Sequence, residues 1–133
     1  EKGNKIVGYC AFSKVSANPA LPGLLLGMAP VAVCQNEQQK GCGSALVEMG
    51  LKKCASENAV LVVVLGEPEY YGRFGFEPAS AHNFSWGAMD AGNAFQAIHR
   101  VDVNNKKPHI IDYHPAFSKT WETLCLRKFS SLR

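Results

Sequence analysis

The chain lacks paired cysteines and metal-ligand spacings. Its five cysteines, Cys10, Cys34, Cys42, Cys54 and Cys125, are odd in number and scattered without a C-x-x-C pair, so neither a disulfide framework nor a zinc site is supported. Reduced thiols packed as small hydrophobes are expected. The four histidines, His82, His99, His109 and His114, also lack a ligand pattern. His109 and His114 are five residues apart across an expected strand and fall on opposite faces, so no metal is expected. No apolar run approaches the ~20 residues of a membrane span. The opening Glu1-Lys2-Gly3-Asn4-Lys5 is not a secretory signal, and a cytoplasmic protein without a membrane partner is expected. Charge is nearly balanced at +3. The basic pairs Lys52-Lys53, Lys106-Lys107 and Arg127-Lys128 lie far apart, which argues against a nucleic-acid surface and suits a small anionic ligand. There is no internal repeat or low-complexity tract. With 133 residues, 47% apolar and 19% charged, residues 1–133 are expected to form one globular domain.

Strand-like and helix-like segments then alternate. Residues 5–15 are rich in Ile, Val, Tyr and Phe and read as a strand. Asn18-Pro19-Ala20-Leu21-Pro22-Gly23 is dense in turn residues, so a hairpin with its second arm starting near Leu24 is expected. That arm contains Pro30, which donates no ladder hydrogen bond and marks a bulge or a splay. From Gly43, small or apolar residues recur at Leu46, Val47, Gly50, Leu51, Cys54 and Ala55, a helical period broken only by Met49. Ala59-Val60-Leu61-Val62-Val63-Val64-Leu65 is uninterrupted and apolar, as in a strand covered on both faces of a parallel pair. Strand, helix and strand make a βαβ unit. Pro68 suits the first turn of a short helix. A loop over residues 79–90, strands over 94–101 and 109–113, a polar turn at 104–107 and a last helix carrying Phe117, Trp121, Leu124, Cys125 and Leu132 complete the expected order.

The connection Gln38-Gln39-Lys40-Gly41-Cys42-Gly43-Ser44 between strand and helix holds the most chemistry. Glycines let backbone N–H groups approach a ligand, and the helix start adds unpaired donors and a positive dipole end, so the turn suits a phosphate. It is neither of two familiar glycine loops: Gly-x-Gly-x-x-Gly would need glycine at Leu46, and Gly-Lys-Ser/Thr is absent. If the strand at residues 30–33 splays from that at 60–65, its free backbone groups offer a slot for an extended amide-bearing ligand. A peptide-like arm ending in a pyrophosphate would satisfy slot and turn together, and coenzyme A has that shape.

These residues resemble the GNAT superfamily of N-acetyltransferases. The family's pyrophosphate motif, Arg/Gln-x-x-Gly-x-Gly/Ala, is matched by Gln38, Gly41 and Gly43, with Gln35 and Gln39 standing where proline and glycine are frequent. Its Tyr-x-x-x-Gly-Phe is matched by Tyr71, Gly75 and Phe76. The run from Val63 to Ser80, together with Tyr113-His114-Pro115-Ala116-Phe117, resembles one bacterial subgroup. The resemblance covers residues 5 to 117. It implies an α/β (α+β) GNAT-like acyl-CoA N-acyltransferase fold: a mixed, mainly antiparallel sheet with a central splayed βαβ unit, trimmed of the usual N-terminal strand and helices. It further implies acetyl-coenzyme A as co-substrate, a small-molecule or peptide amine as acceptor, backbone contacts from Val31, Ala32 and Val33 to the pantetheine arm, and residues 38–44 on the pyrophosphate. Tyr71 would be the general acid for the departing thiolate, with Tyr70 in reserve.

Other residues have two readings. Glu67, at a strand end, is a candidate base or a solvated charge near a helix start. Cys42 is a thiol of lowered pKa near a helix N-terminus or an inert buried one. The Trp121 helix, or a homodimer mate, would cover apolar surface left by absent N-terminal elements. The alternative to an enzyme is a non-catalytic coenzyme A-binding or interaction protein on the same fold. A nucleotide-binding protein with a variant phosphate loop ranks third.

Overall fold

The computed structural model describes residues 8–33, 41–100 and 107–113. In chain order the elements are β1 (Gly8–Asn18), β2 (Leu24–Val33), α1 (Cys42–Ser56), β3 (Ala59–Leu65), α2 (Pro68–Gly72), β4 (Glu77–Pro78), β5 (Phe84–Trp86), β6 (Phe95–His99) and β7 (His109–Tyr113). Short 3₁₀ turns at Ala79–His82 and Gly92–Ala94 precede β5 and β6. The strands form one sheet in the order β4-β6-β3-β2-β1-β7-β5. Only the β2–β3 and β5–β7 ladders are parallel; the others run antiparallel.

The sheet curls on itself. Trp86 of β5, at one edge, lies with its ring 6.5 Å from that of Phe95 of β6, near the opposite edge. Phe84 likewise sits 6.1 Å from the His99 ring. The inner face is filled by Leu25, Leu61, Val63, Leu65, Ile111 and Tyr113 with these aromatics. The outer face, carrying Met28, Val62 and Val64, is covered by Val47 and Cys54 of α1 and by Tyr71 and Phe76. β3 therefore faces apolar partners on both sides, and six of its seven residues are buried. This explains its unbroken apolar run, because burying each such side chain contributes about 1.5–3 kcal/mol.

The expected hairpin, α1, β3, the short helix with proline in its first turn, and β7 are all found. Met49, the one residue out of register on α1, is 69% exposed. β1 runs three residues beyond the expected end, to Asn18, because its last residues pair with β7 from Val15↔Tyr113 to Asn18↔Ile110. That pairing joins distant parts of the chain and leaves no local trace. The expected loop over 79–90 is corrected: it contains a 3₁₀ turn and β5, too short for an alternation of polar and apolar residues to register. The polar turn at 104–107 falls largely, and the Trp121 helix entirely, outside the described residues.

Pro30 coincides with an irregularity. On β1, Cys10 pairs with Val31 and Phe12 with Met28, so β2 spends one residue more than β1 between the same two rungs. A bulge of this kind accommodates proline's missing N–H and turns the strand.

Candidate active site

The parallel β2–β3 ladder runs from Leu24↔Ala59 to Met28↔Val64. β2 continues for five residues to Val33, and there its registered partner is β1, through Cys10↔Val31, Tyr9↔Ala32 and Gly8↔Val33. From the bulge onward, the β3-facing edge of β2 has no ladder partner among the described residues. Val31, Ala32 and Val33 all lie on this segment.

Helix α1 starts from Gly41, whose φ of +82° is the left-handed conformation that glycine adopts without strain. Among the described residues nothing stands within 4 Å of the position a Gly41 side chain would occupy. The first intrahelical bond runs from the Ala45 N–H to the Gly41 carbonyl, 3.0 Å. The preceding N–H groups of Cys42, Gly43 and Ser44 thus have no intrahelical acceptor. Among the described residues no side chain caps this end, and its first turn has no acidic residue. A positive dipole end is left for an anion, and an absent Cβ keeps the approach clear. Gln38, Gln39 and Lys40 lie outside the described residues.

Tyr71 lies at the C-terminal end of β3, where its ring packs over the backbone of Gly66. Gly66 is held from the other side: its N–H donates to the Ala94 carbonyl at 3.0 Å, and the Gln96 amide donates to its carbonyl at 3.2 Å. Tyr71 is buried, edge-on to Tyr70 at 5.0 Å and to Phe76 at 5.8 Å. Glu67 caps α2, exposed and without a side-chain capping bond.

Arg73 joins the two sequence motifs. Its guanidinium stacks on the Tyr70 ring at 4.7 Å and near Phe74 at 5.5 Å. Its Nε–H donates to the Tyr70 carbonyl and its Nη2–H to Ser44 Oγ, each at 3.4 Å. A fixed positive charge therefore stands at the start of α1. Sequence reasoning missed it, although Arg73 lies inside the Tyr-x-x-x-Gly-Phe motif, because no periodicity marks a surface cation.

A second cluster also lacked a sequence signal. His82 Nε2–H donates to the Glu77 carboxylate at 2.6 Å, and in neutral His82 the other ring nitrogen accepts from His99 Nε2–H at 2.8 Å. His99 pairs with Leu61 at the start of β3, whereas Phe95 pairs with Leu65 at its end. The cluster therefore lies at the opposite end of the sheet from Tyr71. His109 is buried and donates from Nδ1 to the Pro19 carbonyl at 2.7 Å. Among the described residues no group of three or more His, Cys, Asp or Glu is arranged to hold a metal, and no helix is long and apolar enough to cross a membrane. Burial pushes the Cys10 thiol up to about 11, with Cys54 nearby adding to the shift. The Cys54 thiol is raised too, chiefly by burial.

A splayed parallel strand pair beside an uncapped glycine-led helix defines a fold of acyl-coenzyme A N-acyltransferases, and the family comparison agrees. Residues 1–78 match the model of the acetyltransferase (GNAT) domain, and the chain belongs to the GNAT family. It is 34% identical over 117 residues to the uncharacterized N-acetyltransferase YhbS of Escherichia coli K12, covering 86% of this chain and 69% of that protein. The crystal structure of E. coli YhbS in complex with CoA superposes with a TM-score of 0.77 at 32% identity, over 89% of this chain and 66% of that one. A GNAT family acetyltransferase from Brucella melitensis in complex with acetyl-CoA gives a TM-score of 0.68 at 29% identity, over 88% and 64%. The chain thus spans about two thirds of the length of these relatives.

Proposed function

We propose that the protein is an acetyl-coenzyme A-dependent N-acetyltransferase acting on a small-molecule or peptide amine. The carrying observation is the parting of β2 from β3 after Met28↔Val64, next to a helix start that presents free N–H groups and no acid. The backbone of Val31, Ala32 and Val33 would receive the amide-bearing pantetheine arm as an added strand. Gly41, Cys42, Gly43 and Ser44, with Gln38, Gln39 and Lys40, would hold the pyrophosphate, and Arg73 would add a charge-assisted contact. Relatives bound to CoA and to acetyl-CoA support the ligand.

In the transfer the amine nitrogen forms a bond to the acetyl carbonyl carbon, the carbon–sulfur bond breaks, and the thiolate takes a proton. Tyr71 Oη–H would supply that proton, and Glu67, directly or through water, would receive the amine's proton. Holding thioester and amine together supplies much of the acceleration, and strand N–H groups would stabilise the oxyanion.

A second reading, a coenzyme A-binding protein without transfer, is favoured by the packing of Tyr71 among Tyr70 and Phe76, which suits a core tyrosine as well as an acid. Calorimetric titration with acetyl-coenzyme A, with ATP as control, tests the shared part. Saturable binding lost in Gly41→Asp and Gly43→Asp is expected; no binding by folded protein sinks both readings. Turnover against an amine panel, abolished by Tyr71→Phe with binding intact, separates them.

A further inference from the structure

A cavity of about 270 Å³ opens along the seam where the rolled sheet brings β5 against β6. Its wall includes Phe84 and Trp86 of β5, Phe95 of β6, and Met89, Asp90 and Asn93 of the connection between them. The seam abuts the candidate active site. Ala94, next to Phe95, accepts the Gly66 N–H, and the ring of Tyr71 rests over that same Gly66. The cavity is on the inner-face side of the sheet, with Trp86 and Phe95, whereas α1 and Tyr71 cover the outer face. A thioester threaded between β2 and β3 from the α1 side would leave the inner-face end of the gap, on the side where the cavity lies, for a second substrate.

Resting on the acetyltransferase reading above, we infer that this cavity is the acceptor subsite and takes a cationic amine with an apolar body. Charge and surface both point that way. Asp90 supplies the only formal charge among the described lining residues. Its Oδ1 accepts the Gly92 N–H at 2.9 Å, which fixes the carboxylate on the exposed rim and leaves Oδ2 for a ligand. Phe84 and Phe95, each 3% exposed, and Trp86, 8% exposed, back the cavity from the core, so its open apolar surface is chiefly the Met89 side chain, 57% exposed. An anionic acceptor would meet Asp90 unfavourably, and a fully polar one would leave the exposed Met89 side chain uncovered. An ammonium group gains a charge-assisted contact with the Asp90 carboxylate. Its apolar body covers Met89 and Trp86, and the amine reacts after losing a proton to solvent. The volume lies near the lower end for small-molecule sites, so the bound part is small.

The test uses a Trp121→Phe background, in which Trp86 is the sole tryptophan. Its fluorescence is titrated with phenethylamine and with uncharged 2-phenylethanol, each with and without saturating coenzyme A. Saturable quenching by phenethylamine is expected, weakened about tenfold by Asp90→Asn and further by Met89→Lys, with 2-phenylethanol little affected by Asp90→Asn. In turnover, Asp90→Asn should raise the KM for the amine and leave kcat and the KM for acetyl-coenzyme A unchanged. An absent response, or one indifferent to both substitutions while calorimetry still detects acetyl-coenzyme A, overturns the subsite and spares the donor-site reading. Amine binding that depends on Asp90 in a protein that does not bind acetyl-coenzyme A overturns the acceptor role together with the proposed function.

Discussion

The ring of Tyr71 occupies the space that a side chain at residue 66 would need: a Cβ on Gly66 would stand 2.9 Å from Tyr71 Cδ2 and closer still to Cε2. Position 66 therefore fixes where the phenol lies, and it does so from the end of the strand that bounds the gap. Gly66→Ala should displace the ring without touching its chemistry. Turnover should fall by at least about tenfold, as expected when a reacting group is misplaced by an ångström or so, while acetyl-coenzyme A affinity changes little. Tyr71→Phe should lower kcat about 100-fold or more with affinity retained. Equal kcat in Tyr71→Phe and the parent would remove the phenol from the mechanism.

At the helix start, Gly41→Ala and Gly41→Asp separate conformation from charge. The alanine variant meets only the left-handed backbone at φ +82°, about 1 kcal/mol of strain, and should still bind. The aspartate adds a negative charge where phosphate oxygens would lie, and should abolish binding in calorimetry. Equal loss in both would mean that backbone geometry alone governs the site.

Arg73→Ala should weaken acetyl-coenzyme A binding about tenfold, the loss of one charge-assisted contact, and reduce the dependence of affinity on salt. S-Acetylpantetheine, which lacks the phosphates, should not distinguish the variant from the parent. If it does, Arg73 acts through packing on Tyr70 and Phe74.

Cys10 and Cys54 should react slowly with a thiolate-directed reagent at pH 8, since burial pushes the first up to about 11 and raises the second too. The folded state favours their neutral forms. The Cys10 contribution to stability is therefore complete below about pH 9 and is lost as pH rises through about 11, and that of Cys54 is lost in the same direction. Urea titrations across that range should show stability falling, with a smaller fall in Cys10→Ala. Fast alkylation located by mass spectrometry at Cys10 or Cys54 in the native protein at pH 8 would contradict the burial.

In the core, Leu61→Ala removes a side chain that is 1% exposed on the inner face of β3 and should destabilise by about 2–5 kcal/mol in urea unfolding. Met49→Ala, on the exposed side of α1, should be nearly neutral.

Much of this architecture was legible because it is local. The run from Ala59 to Leu65, the spacing from Gly43 to Ala55 and Pro30 each report their own surroundings: a doubly covered strand, a one-sided helix, a bulge. The glycine turn and the tyrosine segment were legible as motifs, but their meeting through Arg73, which touches Tyr70 and Ser44, was not, since it depends on a side chain crossing from the end of α2 to α1. Likewise Glu77, His82 and His99 carry no common spacing; they meet because β6 runs beside β4 and the intervening 3₁₀ turn folds back. β5 escaped notice because three residues are too few to display alternation, although its Phe84 and Trp86 close the inner core.

The pairing of Val15 with Tyr113 gives the two halves of the molecule different histories. The hairpin, α1 and β3 are assembled from neighbours in sequence, whereas β7, and β5 alongside it, can dock only after a loop of nearly the whole described chain has closed, an entropic cost that local pairings do not meet. The turn at Gly41 and the strands beside it are thus written in short-range contacts, and the docking of the β5 aromatics on the core depends on long-range ones. Destabilising changes in β7 should therefore loosen the wall around Trp86 first, while the turn at Gly41 keeps its shape.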